Sequence, residues 1–358
     1  MKKKIFAAIC SVTMLAGAAA SVPALDVFNT SDAIVAEAYS GYYNGCHWEY
    51  VQDITGYRIT RCRNYNHLEN ITIPSTIGGQ PVIALDHDAF VVGGDSQCEY
   101  VKNVTMPNTI YQIGNNFFKG CDKLESVTLS NTLITIGNYA FYNARALKNI
   151  NVPNSVRQIG TDFCGQTPSL TSANLGNGVQ IIGNYAFWYS TALQTMTIPN
   201  SVTTIDHHFC TNATGLRNVN IGTGLRTMGN YSFYNCNNIQ NLNCNSTKIE
   251  NLGAYTLNKY RANQTVILGG NYLLRYKGTA STYDNTAIKA VGPYAFKDAS
   301  STTKVYLEYC KYMNSNAFYG RSNTTVYLSA GAMYGTYGSN YASIVSSRVS
   351  PATVVWHH

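Results

Sequence analysis

The sequence predicts an α/β-type repeat protein that is mostly β, with short parallel strands stacked into a right-handed solenoid. A hydrophobic pattern recurs every 23 residues between about 101 and 239, and nearly the same residues recur every 46. A fixed period of roughly 20–50 residues is typical of solenoids, in which each coil buries its apolar side only by stacking on its neighbours. The longer period is carried by Tyr139-Ala140-Phe141, Tyr185-Ala186-Phe187 and Tyr231-Ser232-Phe233, with Phe163-Cys164 and Phe209-Cys210 halfway between them.

The N-terminus has the pattern of a secretory signal peptide. Lysines at 2–4 precede an apolar run at 5–20, and small residues at 22–24 or at 36–38 offer cleavage sites. The first site adjoins the apolar run, so we expect residues 1–24 to be removed. The run is shorter than the roughly 20 apolar residues of a membrane span. We therefore expect an exported protein without a transmembrane anchor, either secreted or held non-covalently at the cell surface.

The rest of the chain divides into three predicted parts. Residues 25–66 are expected to form a linker and an N-terminal hairpin cap, with strands at 48–51 and 57–60 around Gly56. Residues 67–330 carry the repeats and are expected to form a solenoid of about ten coils. Residues 331–358 are expected to form a tyrosine-containing C-terminal cap or tail.

Each coil is expected to combine a short strand with turns. In the coil that begins at Leu147, the alternation of Ile150 and Val152 predicts a strand with one buried face, and Pro153 follows where no further backbone donor is needed. A glycine after the next isoleucine is expected to adopt a positive φ in a turn. Asp206 takes this place once, and aspartate tolerates that conformation. The glycines are Gly114, Gly137, Gly160, Gly183 and Gly229.

Two kinds of coil alternate in the predicted core. One kind carries a small residue before a large one, as in Ala140-Phe141, and the next carries a large residue before a small one, as in Phe163-Cys164. The summed side-chain volume of two adjacent coils therefore stays nearly constant. A close-packed interior requires such compensation.

Aligned on their strands, the coils share the pattern Leu-x-x-Ile-x-Ile-Pro-x-x-Val-x-x-Ile-Gly-x-x-Ala-Phe. This pattern resembles the leucine-rich repeats of the BspA-like family of bacterial surface proteins, over about Leu68 to Leu328, with an insertion at 91–98 and a slipped rhythm at 258–264. The resemblance implies a leucine-rich-repeat solenoid with a parallel sheet on its concave side and short irregular or helical segments on its convex side. It also implies surface attachment or adhesion to host proteins or other cells, without shared catalytic residues.

The cysteines limit which disulfides can form. An odd number remains once Cys10 is removed with the signal peptide, so at least one is not paired within the chain. Strands of a parallel sheet lie roughly 4.8 Å apart, which places side chains two coils apart at about 10 Å, too far for a bridge. Cys164, Cys210 and Cys236 are therefore expected to be small buried side chains. Two bridges remain possible: Cys98–Cys121, one coil apart, and Cys46–Cys62, across the predicted hairpin.

The first candidate binding surface is a row of uncharged polar side chains. In each strand two residues flank a buried position and are expected to face outward; in eight coils all of them are Asn, Ser or Thr. Such a row can bind a polysaccharide or an extended polypeptide, or its members can simply satisfy one another along the stack. The candidate residues are Asn149, Asn151, Ser172, Asn174, Thr195, Thr197, Asn218 and Asn220.

The second candidate surface is aromatic. Tyr142, Trp188 and Tyr234 recur in every second coil, at an expected spacing of roughly 10 Å. Exposed rings at regular intervals can stack on sugar rings. The alternative is that these rings pack between coils on the convex side.

Charge and motifs argue against several other functions. Only 12% of the residues are charged and no basic run follows the signal peptide, which argues against nucleic acid as a partner. The runs Asp86-His87-Asp88 and Asp206-His207-His208 lie several coils apart and neither offers three ligands on one face, so no metal site is expected. We expect no cofactor and no enzymatic activity, because no catalytic motif is present.

Together these observations predict a non-enzymatic extracellular binding or adhesion protein that recognises a host protein, a glycan or neighbouring cells. The alternatives are a structural protein of the envelope without a soluble ligand and, more distantly, an enzyme accessory module.

Overall fold

The computed structural model describes residues 38–357, apart from 54, 65, 93–94, 97, 245, 247–248, 250, 254–265, 269–271, 276–280, 285–287, 293, 298 and 300. The predicted signal peptide, the linker up to residue 37 and the slipped stretch at 258–264 lie outside the described residues.

Short β-strands make up most of the regular structure. The first are β1 (Ala38–Tyr43), β2 (Cys46–Gln52), β3 (Tyr57–Arg63), β4 (Asn70–Thr72), β5 (Thr76–Ile77), β6 (Gln80–Leu85), β7 (Val91–Val92), β8 (Asp95–Ser96), β9 (Asn103–Thr105), β10 (Gln112–Ile113), β11 (Ser126–Thr128) and β12 (Thr135–Ile136). Next come β13 (Asn149–Asn151), β14 (Gln158–Ile159), β15 (Ser172–Asn174), β16 (Ile181–Ile182), β17 (Thr195–Ile198), β18 (Thr204–Ile205), β19 (Asn218–Ile221), β20 (Thr227–Met228), β21 (Asn241–Cys244) and β22 (Asn251–Leu252). The C-terminal part comprises β23 (Val266–Leu268), β24 (Tyr272–Arg275), β25 (Thr282–Asp284), β26 (Ala290–Val291), β27 (Lys304–Leu307), β28 (Tyr312–Met313), β29 (Thr325–Ser329), α1 (Ala330–Tyr337), a 3₁₀ helix (Gly338–Asn340), α2 (Tyr341–Val349) and β30 (Thr353–His357).

The N-terminal strands form an antiparallel cap. β1 pairs with β2 and β2 with β3, and β3 then lies parallel to β6 of the first coil. Trp48 of β2 is fully buried, with its ring centroid 6.2 Å from that of Phe90. Its indole N–H donates a hydrogen bond of 2.9 Å to the carbonyl of Tyr43. The hairpin therefore covers the apolar end of the stack, which would otherwise be exposed to water.

Each repeat contributes one strand to each of two parallel ladders, which confirms the predicted parallel-strand solenoid. Partners in neighbouring coils are 23 residues apart, as in Asn149 opposite Ser172 and Gln158 opposite Ile181. The first ladder contains two consecutive hydrogen-bonded sheets, β4, β9 and β11 followed by β13, β15, β17, β19 and β21, and the second contains β6, β10, β12, β14, β16, β18, β20 and β22 in one sheet. Outward residues of the first ladder form what we call the strand face.

The third side of each coil, called here the turn face, is a series of turns joined by hydrogen bonds between coils. The N–H of Phe118 donates to the carbonyl of Ala140 at 2.8 Å, and the N–H of Phe141 to the carbonyl of Phe163 at 2.9 Å. Two positions per coil have a left-handed backbone: one column runs through Asn116, Tyr139, Asp162, Tyr185, His208 and Tyr231, and another through Gly120, Asn143, Gln166, Tyr189, Asn212 and Asn235.

The prediction that the glycines after the second isoleucine need a positive φ is wrong. Gly114, Gly137, Gly160, Gly183 and Gly229 are not among the positive-φ residues. They are required because neighbouring coils approach too closely for a side chain. A Cβ on Gly160 would lie 2.7 Å from the carbonyl carbon of Gly137, and one on Gly229 would lie 2.6 Å from that of Asp206.

The core is a continuous column of phenylalanine rings. Phe141, Phe163, Phe187, Phe209 and Phe233 are fully buried, and successive ring centroids lie 5.4, 6.0, 5.6 and 5.8 Å apart in edge-to-face contact. The alternation of Ala-Phe and Phe-Cys keeps this column unbroken while the ring changes position by one residue. Cys164, Cys210 and Cys236 are buried free thiols, which confirms their prediction as small core side chains.

Two separate apolar clusters lie along the described chain. The first comprises the cap, the coils to about Ile249 and Ala290 of β26, and the second runs from Tyr283 to Val349. Between them the antiparallel pair β23–β24 interrupts the parallel pattern. The second cluster ends in α1 and α2, whose side chains Met333, Val345 and Val349 are fully buried, and β30 pairs with β29. The helical part of this cap was not specified by the repeat.

Candidate functional site

The strand face presents a two-column row of polar side chains. Asn149, Asn151, Asn174, Thr195 and Thr197 are exposed, while Ser172, Asn218 and Asn220 are half-buried. The residues between them, such as Ile150 and Met196, point into the core. Alternation along each strand and parallel register between coils together bring the predicted residues onto one surface.

Part of this row is hydrogen-bonded to itself. The Asn174 amide donates to Asn151 at 2.6 Å, that of Asn241 to Asn218 at 2.7 Å, and that of Asn243 to Asn220 at 3.0 Å. In these columns the amides hydrogen-bond to one another, which is the second of the two alternatives given for this row in the sequence analysis. Each amide still has a further donor or acceptor position, so a bonded ladder can also face a ligand.

In the column that borders the strand face, ion pairs occur in the first half. Lys102 contacts Glu69 at 2.7 Å and Lys148 contacts Glu125 at 2.5 Å. The hydrogen bond from Lys148 lowers the pKa of Glu125, and that to Glu69 raises the pKa of Lys102. The same column continues with uncharged residues and one exposed arginine: Thr171, Gln194, Arg217 and Gln240. The second half of the face therefore lacks carboxylates in this column.

The three predicted aromatic residues lie on the turn face. Tyr142, Trp188 and Tyr234 are half-buried. Each ring meets the tyrosine three residues earlier edge to face, with centroid distances of 5.8, 6.0 and 5.4 Å. Packing within the coil thus uses one side of each ring, and the other remains partly open.

A histidine fills the gap between two tyrosines of the neighbouring column. The His208 ring lies parallel to Tyr185 at 4.5 Å and to Tyr231 at 4.8 Å. Burial, together with the neighbouring His207, lowers the pKa of His208. The three rings form a continuous stack, so the tyrosine repeat of every second coil is only half of an aromatic column.

The two histidine-containing runs support the backbone of the stack. In three coils the residue after the glycine is an asparagine whose side-chain oxygen accepts an N–H of the next coil, as Asn138 accepts from Thr161 at 2.8 Å. His87 and His207 replace it: their Nδ1 atoms accept the N–H groups of Asn115 and Asn230, both at 2.9 Å. The role requires an unprotonated Nδ1. No group of three or more metal-ligating side chains occurs among the residues that the structure describes.

Sequence reasoning missed Tyr189, which is 44% exposed and has a φ of 56°. Its neighbours in the column are Asn143, Gln166 and Asn212, residues that tolerate or suit a left-handed backbone better than a bulky ring does. The feature of the sequence that could have identified Tyr189 is that it is the one aromatic residue at this repeat position, where the other described coils from 143 to 235 carry Asn or Gln. The Tyr189 ring meets the Trp188 ring edge to face at 4.7 Å.

Tyr189 forms part of a groove on the turn face with a volume of about 460 Å³. The groove crosses three consecutive coils. Its other lining residues are Asn143, Arg145, Gln166, Pro168, Trp188 and Thr191. We call it the turn-face groove.

The two cysteine pairs differ in the structure. Cys98 and Cys121 are joined by a disulfide, with their Cα atoms 5.2 Å apart. Cys46 and Cys62, the other predicted pair, are buried free thiols that share a hydrogen bond, and burial raises the pKa of Cys62.

Comparison with known proteins places these features in a family. The family model described as the BspA type leucine rich repeat region, with six copies, matches residues 60–194, 182–274 and 263–334. No protein of curated function matches the chain in sequence.

Solved structures of bacterial leucine-rich repeat proteins are similar to the chain. A leucine-rich repeat protein of T. pallidum is 23% identical, with 63% of this chain and 91% of that chain covered and a TM-score of 0.44. One from Bacteroides ovatus is 16% identical over 89% of this chain and 100% of that chain, with a TM-score of 0.43. A leucine rich cell surface protein of Faecalibacterium prausnitzii is 15% identical over 90% and 96%, with a TM-score of 0.40.

Within the described ranges, none of the helices has the length and apolar character needed to cross a membrane. The family match spans most of the chain and includes the coils of the two ladders. The chain therefore belongs to the BspA-type leucine-rich repeat family.

Proposed function

We propose that this chain is a non-enzymatic binding protein, secreted or associated with the cell surface, that recognises a host protein, a glycan or a neighbouring cell. The observation that carries the proposal is the strand face: consecutive coils present Asn, Ser and Thr side chains in parallel register. A regular surface of this kind suits an extended ligand that contacts several coils at once. Its low charge favours a partner recognised by hydrogen bonds.

Export is supported by the disulfide and by the family. The Cys98–Cys121 bridge joins adjacent coils, and structural disulfides persist in oxidising compartments such as the extracellular space. The N-terminal pattern of lysines followed by an apolar run agrees with this. Fractionation of the source cells tests the location: the protein should be found in the medium, or released from intact cells by high salt. Retention in the cytosol would contradict it.

Binding through the strand face is tested with a charge-insertion variant. The chain without residues 1–24 is screened against immobilised extracellular-matrix proteins, a glycan array and whole cells. The double variant Thr195→Lys, Thr197→Lys places two cations in the middle of the face and should reduce binding at least tenfold. Thr223→Lys adds an exposed lysine between the ladders and should leave binding unchanged.

The same measurements test the alternative that the chain is a structural protein of the envelope. If the wild-type chain binds no immobilised ligand but sediments with purified envelope material, the envelope-protein alternative is correct. If the double variant Thr195→Lys, Thr197→Lys and the single variant Thr223→Lys bind equally well and like the wild type, the strand face is not the recognition surface.

A further inference from the structure

We infer that the turn-face groove is a binding site for an acidic saccharide unit, recognised by Trp188, Tyr189 and Arg145. The inference rests on the proposed function, because it assigns a ligand class to an extracellular binding protein. The site is nevertheless a different surface from the strand face, so each can fail without the other.

Tyr189 is placed in the groove against its own backbone preference. A left-handed backbone is unfavourable for a bulky side chain, and the equivalent positions of the adjacent coils carry Gln166 and Asn212. The ring is 44% exposed, so it is not a core residue that must be large. Strained residues that contribute little to packing are characteristic of ligand sites.

The two rings of the groove form a corner. Trp188 and Tyr189 meet at an interplanar angle of 90° with centroids 4.7 Å apart. A pyranose ring can lie with its C–H face on one of these rings while its hydroxyl groups reach polar neighbours. The lining supplies such neighbours in Asn143, Gln166 and Thr191.

Arg145 gives the groove its charge. Its Nε donates to the side-chain oxygen of Asn143 at 2.9 Å and lies 3.8 Å from the Asp122 carboxylate. Both members of that ion pair are more than half exposed, so the pair is weak and water screens it. These contacts use Nε, which leaves the terminal amino groups available for a bidentate contact with a carboxylate. Among the residues that the structure describes, none of those lining the groove is acidic.

A peptide ligand fits this site less well. Peptides commonly bind by adding a strand to an open backbone edge. Here the backbone N–H groups of the groove are used between coils: Asn143 donates to Gly165, Gln166 to Trp188 and Tyr189 to Thr211, at 2.7–3.0 Å. Recognition must therefore come from side chains, and this combination of rings, amides and one guanidinium matches a carboxylated sugar.

The test uses three carboxylated polysaccharides as probes: hyaluronan, polygalacturonate and polysialic acid. Each is compared with its carboxyl-reduced form, which keeps the sugar rings and loses the charge. Biolayer interferometry with the chain lacking residues 1–24 should show binding to at least one carboxylated probe. Its reduced form should bind at least tenfold more weakly.

Two variants connect that binding to the groove. Tyr189→Asn introduces the residue found at 212 and 235, so it should fold at least as stably as the wild type and lose at least tenfold in affinity. Arg145→Gln should lower binding of the carboxylated probe to the level of the reduced one. The matched controls Tyr309→Asn and Arg157→Gln change exposed residues outside both surfaces and should bind like the wild type.

The contrary results are equally defined. The inference is overturned if the wild type binds none of the three probes, if it binds carboxylated and reduced forms equally, or if Tyr189→Asn keeps full affinity. Competition by poly-L-proline would instead indicate a peptide site and would also overturn it. Thr195→Lys, Thr197→Lys should leave probe binding unchanged, and this separates the groove from the strand face.

Discussion

The residue type varies from coil to coil at the positions with a left-handed backbone. In one column Asn116, Asp162 and His208 alternate with tyrosines, all at φ values between 52° and 59°. The stack fixes this backbone through its hydrogen bonds between coils, so each coil must accommodate whichever side chain the sequence supplies. Tyr185, His208 and Tyr231 do so by stacking on one another.

At neutral pH the buried carboxylate of Asp162 destabilises the folded protein. It is 8% exposed, and burial, only partly opposed by Lys119, raises its pKa to about 6. The folded state therefore binds this proton more tightly than the unfolded state, whose aspartate has a pKa of about 3.9. Stability from this group is complete below about pH 4 and is lost as the pH rises through about 6.

Asp162→Asn should therefore stabilise the protein by about 1–2 kcal/mol at pH 7.5, less than the full pKa shift because solvent screens part of it. Asparagine also suits the left-handed backbone and occupies the equivalent position at 116. Urea unfolding at pH 7.5 and pH 4 measures this, and the gain should shrink to a few tenths of a kcal/mol at pH 4. Asp122→Asn, an exposed site, is the control. An equal gain at both pH values would show that ionisation is not the cause.

Glycine occurs on the turn face for two different reasons. Gly160 has a backbone that any residue can adopt but no room for a Cβ, whereas Gly120 has a φ of 72° and open space around it. Asparagine tolerates a left-handed backbone but not a close approach.

Gly160→Asn should therefore destabilise by about 2 kcal/mol or more, because inserting atoms into a packed contact forces the backbone to shift. Gly120→Asn should cost a few tenths at most, since Asn143 and Asn212 hold the same position in other coils. Thermal unfolding of both variants decides between the two explanations. Equal melting temperatures would restore a conformational reason for Gly160.

The hairpin cap holds two thiols whose state can be counted. Cys46 and Cys62 are both fully buried, so both should react slowly while the protein is folded, although their hydrogen bond lowers the pKa of Cys46 and burial raises that of Cys62. The described chain contains seven cysteines outside the disulfide, all buried. Ellman's reagent should therefore find almost none in the native protein and seven after denaturation of the chain without residues 1–24. Five would show that Cys46 and Cys62 form the second bridge that the sequence allows.

The coil, its strands and its core could be predicted from the sequence because each depends on the periodic spacing of apolar residues. Alternation at Ile150 and Val152 identifies the strand, and the 23-residue spacing is what places Cys98 next to Cys121. The turn-face groove was not predicted, because it depends on where side chains from three coils point and on one residue, Tyr189, that breaks its column. The reason for Gly160 was also missed, since a sequence does not separate close approach from an unusual φ.

Among the described residues the apolar core falls into two clusters, which we expect to limit cooperativity. In a solenoid each coil is stabilised by its immediate neighbours, so a destabilised coil affects distant coils only through an unbroken core. The first cluster runs from the cap to about Ile249 and also includes Ala290, the second spans Tyr283 to Val349, and β23 and β24 are antiparallel between them. These segments should therefore open as separate units.

Two matched substitutions test this separation. Leu216 belongs to the first cluster and Leu328 to the second, both are fully buried, and truncation of either to alanine should cost about 2–5 kcal/mol in its own unit. Hydrogen exchange followed by mass spectrometry should show that Leu216→Ala speeds exchange in peptides from 139–244 and leaves 304–349 protected. Leu328→Ala should do the reverse. If either substitution lowered protection equally in both segments, the two clusters would form one cooperative unit, and a ligand bound at the turn-face groove would then also stabilise the C-terminal coils.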